Sequence, residues 1–214
     1  MTGPHPVRAR DRHLRRLSTP RAAALAGVAF AVLFGAVLVL LRLASSDDGT
    51  LRLATVLMPF AGIAFLWFIG VIRDGLGALE DKFFSSVFLG SGLLFLAMSF
   101  ASAAVIRGVL AARDAAGGVA SDDLHAFGLG MATTLGSTYA LRMAAVFMMS
   151  LATIWLKTRL MPTPLIVVSY SAALAVLLAV DVSPWMTVTF PVWVLIVSLA
   201  ILTRRAAAPT PDTA

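Results

Sequence analysis

The chain has 214 residues, of which 59% are apolar and 13% are charged, and it contains no cysteine. Soluble domains are about 45–50% apolar and about 25% charged, so the composition excludes a soluble enzyme and a disordered protein. The absence of cysteine excludes a disulfide-stapled secreted module. The net charge of +6 would suggest nucleic-acid binding in a soluble protein, but the sequence carries none of the motifs of that class.

Six apolar runs divide the chain, each at least 20 residues long, and five of them contain no charged residue. A helix needs about 20 apolar residues to cross a hydrocarbon core about 30 Å thick. We therefore predict an all-α integral membrane bundle of six helices, with spans at about 22–41, 54–72, 83–106, 131–156, 163–181 and 185–203.

The N-terminal ends of two of these runs require separate arguments. The first follows an arginine-rich segment, but it is longer than the apolar part of a signal peptide, so we expect a retained helix. The fourth run contains Gly128 and Gly130 early, which indicates a loop or interfacial turn before a helix that begins near Met131.

The basic residues are distributed unevenly over the predicted loops. With the N-terminus inside, 12 lysines and arginines lie on the inner side and 4 on the outer side. Cytoplasmic loops carry the excess of basic residues, so both termini are predicted to be cytoplasmic.

The two tails are polar and contain several prolines. We predict that residues 1–21 and 204–214 are disordered cytoplasmic segments. The basic N-terminal tail either binds anionic lipid headgroups or only fixes the topology.

Small residues mark two candidate packing sites. Ala23, Gly27, Ala31 and Gly35 recur every fourth residue, which puts them on one face of the first helix. Membrane helices approach closely at such faces, here either within the bundle or against a second copy in a homo-oligomer. Gly90 and Gly92, which flank Ser91, are interpreted in the same way.

Arg142 is the one charged residue inside a predicted span, and such residues are candidates for functional sites. Asp181, at the predicted outer end of the fifth span, is the nearest acid in depth. Polar side chains accompany Arg142 and predict a stripe on the fourth helix that faces the bundle interior. These candidate residues are Thr134, Ser137, Thr138, Tyr139, Arg142 and Ser150.

This polar stripe has two interpretations. In the structural one, neighbouring hydroxyls and carbonyls satisfy Arg142 and fix the packing. In the functional one, the stripe lines a water-filled cavity and Arg142 meets an anion or a lipid phosphate.

The motifs of catalysis and of cofactor binding are missing. The sequence has no nucleotide-binding loop and none of the common metalloprotease or serine-hydrolase motifs. Asp122, Asp123 and His125 are interpreted as part of a solvated loop and not as a metal site. We predict no catalytic residue, no cofactor and no metal.

The stretch from Pro59 to Asp74, with Glu80 to Phe84 after it, resembles a group of small uncharacterised bacterial multi-pass membrane proteins. The segment from Tyr139 to Phe147 is similar to that group as well. The resemblance implies a location in the bacterial cytoplasmic membrane but no activity. The 15 arginines against 2 lysines also suit a GC-rich bacterial genome.

Two functions follow as expectations. The first is a non-enzymatic membrane protein that acts through helix packing with partners or lipids. The alternative is a small transporter or channel for an anionic or zwitterionic solute, which would use Arg142 and the polar stripe.

Overall fold

The computed structural model describes residues 7–43, 48–76, 82–117, 122–179, 181–183 and 185–206. All regular elements in these ranges are helical. They are α1 (Val7–Leu43), α2 (Asp48–Leu76), α3 (Lys82–Ala115), α4 (Asp122–Thr133), a π-helical segment (Thr134–Tyr139), α5 (Ala140–Thr158), α6 (Thr163–Ala179) and α7 (Met186–Ala206).

Five helical spans in the described part are long and apolar enough to cross a membrane. One of them runs through α4, the π segment and α5, from Asp123 to Thr158. The apolar helix α6 has 17 residues, and at about 26 Å it is shorter than a hydrocarbon core of about 30 Å. The predicted all-helical fold is confirmed for the described residues, and five of its helices have the length and composition of membrane spans, beside one shorter apolar helix.

Two helices begin nine or more residues before their predicted spans. α1 begins at Val7, so it includes most of the segment predicted to be disordered, because arginine, alanine and leucine there are strong helix formers. α4 begins at Asp122, well before Met131, and continues through both glycines. Gly128 is tolerated because its missing side chain lets the helix lie directly against Val109 of α3. Residues 1–6 and 207–214 of the predicted tails lie outside the described ranges.

The helices run up and down, so their ends form two groups. α1 packs against α2 and α7, and α5 packs against α3 and α6. We call the end where α1 stops at Leu43 and α2 starts at Asp48 the cleft end. Contacts there join α1 to α7, through Arg42 and Thr187 at 3.3 Å, and α3 to α2, through Arg113 and Asp48 at 2.9 Å.

Aromatic rings fill the middle of the bundle. Neighbouring rings have centroids 4.7–6.2 Å apart, in stacked, tilted and edge-to-face arrangements. Such pairs contribute about 0.5–1.5 kcal/mol each beyond area burial. We call this set the phenylalanine cluster; it joins α1, α2, α3, α5 and α7 through Phe30, Phe34, Phe65, Phe95, Phe147 and Phe190.

Hydroxyl groups add bonds between the helices, as expected where apolar faces gain little over lipid. The Trp193 indole donates to Ser169 at 2.8 Å and so links α7 to α6. Thr153 and Tyr170 share a 2.6 Å hydrogen bond that links α5 to α6.

The predicted packing glycines have different surroundings. A side chain at Gly27 would collide with Ser198 of α7 and Phe68 of α2, whereas Gly35 faces open space. Ala31, between them, is buried. Gly92 lies against Ile69 and Phe147, but a side chain at Gly90 would meet nothing. Close packing therefore requires Gly27 in α1 and Gly92 in α3.

Candidate binding cleft

A cleft of about 670 Å³ opens at the cleft end of the bundle. α1, α2, α3, α4, the π segment, α5 and α7 all contribute to its walls. Ligand sites in proteins commonly occupy about 300–1,000 Å³, so the cleft is large enough for a small molecule.

The apolar lining of the cleft lies mainly on α1 and α2. Phe34 and Leu38 lie one turn apart on α1, and Leu51 and Met58 lie opposite on α2. Phe34 is also part of the phenylalanine cluster, which therefore forms the floor of the cleft. The cleft ends in the middle of the bundle at packed aromatic rings.

The wall on α3, the end of α4 and the π segment is lined by hydroxyl groups. Ser99, Ser102, Thr133, Ser137 and Thr138 all lie on it. Ser99 donates to its own helix, at the Phe95 carbonyl. Ser102 donates across to the Ala132 carbonyl of α4 at 2.7 Å.

The Ser102 bond explains how the π segment is held. In a π turn the N–H groups bond five residues back, as Ala140 does to the Leu135 carbonyl. The Ala132 carbonyl, just before the segment, accepts the Ser102 hydroxyl and so ties the start of the π segment to α3. Gly136 lets α3 approach, because a side chain there would meet Ser102.

The π segment divides the polar stripe predicted on this helix. Thr134 and Tyr139 lie outward with Gly130 and Met131 around a shallow surface groove, and Tyr139 is 54% exposed. The expectation that both face the interior is wrong. The wider π segment bonds residues five apart, and Thr134 and Tyr139, which have this spacing, lie on the same outward face.

The inward part of the stripe is built around an ion pair. Arg142 donates to Asp181 at 2.6 Å, and Thr138 donates to the other carboxylate oxygen at 3.1 Å. Asp181 lies in the turn after α6 and lines the cleft. These two hydrogen bonds hold the pKa of Asp181 below its ordinary value, and the bond from Arg142 has the larger effect. The acid nearest in depth on sequence grounds is thus the partner of Arg142.

Two polar residues further along the same helix, Ser150 and Lys157, do not line the cleft. Ser150 is buried and donates to the Val146 carbonyl of its own helix. Lys157, at the opposite end of the bundle, lies 4.2 Å from the centre of the Phe84 ring. Both are explained by packing.

The rim of the cleft carries charged groups that lie outside the predicted polar stripe. Arg42, Asp48 and Arg113 line it, and Arg42 also lies 4.5 Å from the centre of the Trp185 ring. His125 lines the cleft from α4, so the prediction that it lies in a loop is wrong. In the described part of the chain, no three potential metal ligands come together.

Compared with protein-family models, with curated proteins and with solved structures, the chain matches none of them.

Proposed function

We propose that this multi-pass membrane protein binds a small molecule in the cleft and does not transform it. The observation that carries the proposal is the cleft itself: about 670 Å³ of space, an apolar floor and a polar rim at one end of a membrane bundle. Ligand sites combine a mostly apolar wall with a few placed polar groups in this way.

The state of the lining hydroxyls supports binding without catalysis. Ser99, Ser102 and Thr133 all donate to main-chain carbonyls. A catalytic hydroxyl would instead donate to a general base. Thr138 does donate to the carboxylate of Asp181, but the bond from Arg142 lowers the pKa of that carboxyl and makes it a weak base. We propose that these hydroxyls shape the wall and offer their lone pairs to a ligand.

Transport is the second candidate, and the one-sided cleft favours it over a channel. A carrier that is open at one end has a cleft above a closed middle, whereas a channel needs a continuous path through the middle of the bundle. Here the phenylalanine cluster fills the middle. Release on the other side would require these rings to separate, so transport predicts a second conformation.

We further propose a bacterial cytoplasmic membrane, with both tails cytoplasmic and the cleft facing outward. The excess of basic residues near the tails supports this orientation. α6, which packs against α5 and α7, would then cross as a short sixth span. Binding of anionic lipid by the basic N-terminal segment and homo-oligomer formation belong to the same proposal.

Single cysteines test the cleft directly, because the chain has none of its own. Ser137→Cys places a thiol in the cleft, Thr134→Cys on the outer groove and Ser150→Cys in the packed interior. In nanodiscs, where both ends are accessible, a charged thiol reagent should label only the Ser137 variant rapidly.

Octanoate, octanol and octylamine then serve as probes that could slow this labelling. Protection by at least one of them supports a binding cleft. If the Ser137 thiol in a folded protein resists the reagent, or none of the probes slows its reaction, the proposed function is wrong. In intact cells, labelling from outside tests the outward orientation.

A further inference from the structure

We infer that the cleft takes an uncharged molecule with an apolar body and a hydrogen-bond donor, such as a hydroxyl group. The inference rests on the proposed function and names the class of ligand for the same site. Its grounds are the partners of the charged groups in the lining and the direction of the hydrogen bonds that the buried lining serines make.

The charged side chains that line the cleft are already held by other groups of the protein. Two arginines and two aspartates line it, so their charges sum to zero. Asp48 accepts a hydrogen bond from Arg113 at 2.9 Å, and Asp181 accepts one from Arg142 at 2.6 Å. Arg42 is bonded to α7. An uncharged ligand leaves all of these bonds in place.

This arrangement disfavours both signs of charge in a ligand. An ionic head loses its water on entry and then competes with the protein partner that each charged group already has. The inferred class therefore differs from the anionic or zwitterionic solute expected from the sequence. The reason is that Arg142, on which that expectation depended, is bonded to Asp181.

Two buried serines of α3 indicate which kind of polar group the ligand carries. Ser99 and Ser102 line the cleft and are 2% and 7% exposed. Each donates its proton within the protein, to the carbonyls of Phe95 and Ala132 respectively. A hydroxyl has one donor and two lone pairs, so each serine oxygen can still accept a hydrogen bond. A ligand hydroxyl can donate to such an oxygen, whereas a ketone or a carboxylate has only lone pairs to offer.

Apolar side chains lie at the same depth as these serines. Ser99 is one turn beyond Phe95 on α3, and the Phe95 ring packs against Phe34 of α1 with centroids 5.5 Å apart. Phe34 and Leu38 belong to the apolar lining. A molecule at this depth therefore meets hydroxyl acceptors and apolar side chains together. An apolar alcohol matches both, while a molecule that is polar throughout would leave polar groups against the apolar lining.

A third buried serine of α3 gives a matched control. Ser91 is 5% exposed and donates to carbonyls of its own helix, as Ser99 does. Ser99 lines the cleft, whereas Ser91 does not. Replacing either serine with alanine removes one buried hydroxyl and its bonding within α3, but only Ser99→Ala removes an acceptor from the cleft.

The experiment uses the full-length Ser137→Cys protein in zwitterionic-lipid nanodiscs. It measures the free concentration of each probe that halves the rate of thiol labelling. Octanol donates a hydrogen bond, 2-octanone only accepts one, octanoate and octylamine carry opposite charges, and ethanol lacks the chain. The Ser137 hydroxyl is absent from this protein, so it does not contribute a donor to any probe.

We expect octanol to protect at a concentration about threefold or more below that of 2-octanone, octanoate or octylamine, the gain expected from one hydrogen bond. Ethanol should need a concentration at least about tenfold above that of octanol, because it buries fewer methylene groups. Ser99→Ala should bring octanol and 2-octanone to equal concentrations, and Ser91→Ala should keep their difference. Since each probe partitions equally into the lipid around every variant, this comparison isolates the serine. Thermal unfolding checks that both variants are folded.

The outcomes separate the two proposals. If octanoate or octylamine protects at the same concentration as octanol or a lower one, the uncharged class is wrong and the binding cleft stands. Equal protection by 2-octanone overturns the donor, and equal protection by ethanol overturns the apolar body. Loss of the octanol preference in both serine variants, or in neither, overturns the role of Ser99. If the thiol of the Ser137→Cys protein resists the reagent, or if octanol, octanoate and octylamine all fail to slow its labelling, the proposed function itself fails.

Discussion

The middle of the bundle and its cleft end are built differently, although the same helices run through both. α1 contributes Phe30 to the phenylalanine cluster and Arg42 to the rim; α3 contributes Phe95 and Arg113 in the same way. In the middle, rings pack with centroids as close as 4.7 Å. At the cleft end, hydroxyls and ion pairs surround about 670 Å³ of space. The packed middle holds the helices together, and this allows the cleft end to remain open.

The largest effect should come from the middle. Phe65→Ala removes a fully buried ring that contacts rings from four other helices, and we expect a loss of about 3–5 kcal/mol of unfolding free energy. Phe60, five residues earlier on α2, is 56% exposed, and Phe60→Ala should change it by about 0.5 kcal/mol or less. Denaturant titration in detergent micelles measures both. Similar losses would show that the cluster does not hold the bundle.

The next effect concerns the two glycines of α1. Gly27→Leu forces a side chain into Ser198 and Phe68, while Gly35→Leu enters open space. We expect a loss of about 1–3 kcal/mol for the former, from overpacking, and little change for the latter.

Size-exclusion chromatography with light scattering extends the glycine test. If Gly35→Leu converts an oligomer to a monomer, the outer half of the stripe contacts a second copy. If Gly27→Leu unfolds no more easily than the parent protein, the packing described for α1 is wrong.

A smaller effect should mark the wall of the cleft. Ser102→Ala removes the bond to the Ala132 carbonyl at the π segment, whereas Ser99→Ala removes a bond within α3. Interhelical hydrogen bonds in membranes average about 0.6 kcal/mol, so Ser102→Ala should lose about that much more than Ser99→Ala. Hydrogen exchange should also rise in the π segment of the Ser102 variant alone. Equal exchange in the two variants would contradict its role in holding the π turn.

The smallest effect should appear on acidification. The bonds from Arg142 and Thr138 lower the pKa of Asp181 in the folded protein, below the value of about 3.9 expected when unfolded. The pair therefore contributes its full stabilisation above about pH 4, and loses it as the pH falls through the lowered pKa. Asp181 is half exposed, so the change is small. Asp181→Asn should flatten the pH dependence of thermal unfolding in this window; an unchanged slope would contradict the assignment.

The sequence by itself determined that the chain is a multi-pass membrane protein. Runs of 20 uncharged residues have few stable alternatives to spanning helices, because in lipid every backbone polar group must be paired internally. It also identified Arg142 as unusual and Asp181 as the acid nearest in depth. Both results depend on burial cost and on distance along one helix, which are local quantities.

Only the tertiary structure decided the rest. Gly27 and Gly35 are equivalent in the sequence pattern, but only Gly27 meets a neighbouring helix. Thr134 and Thr138 have the spacing of one α-helical face, yet in the π segment Thr138 lines the cleft and Thr134 lines the surface groove. The sequence pattern does not distinguish the buried phenylalanines from lipid-facing ones, since apolar side chains suit lipid and protein interior alike. The cleft exists because helices that are far apart in the sequence end at the same side of the bundle. The sequence of one helix alone does not contain that information.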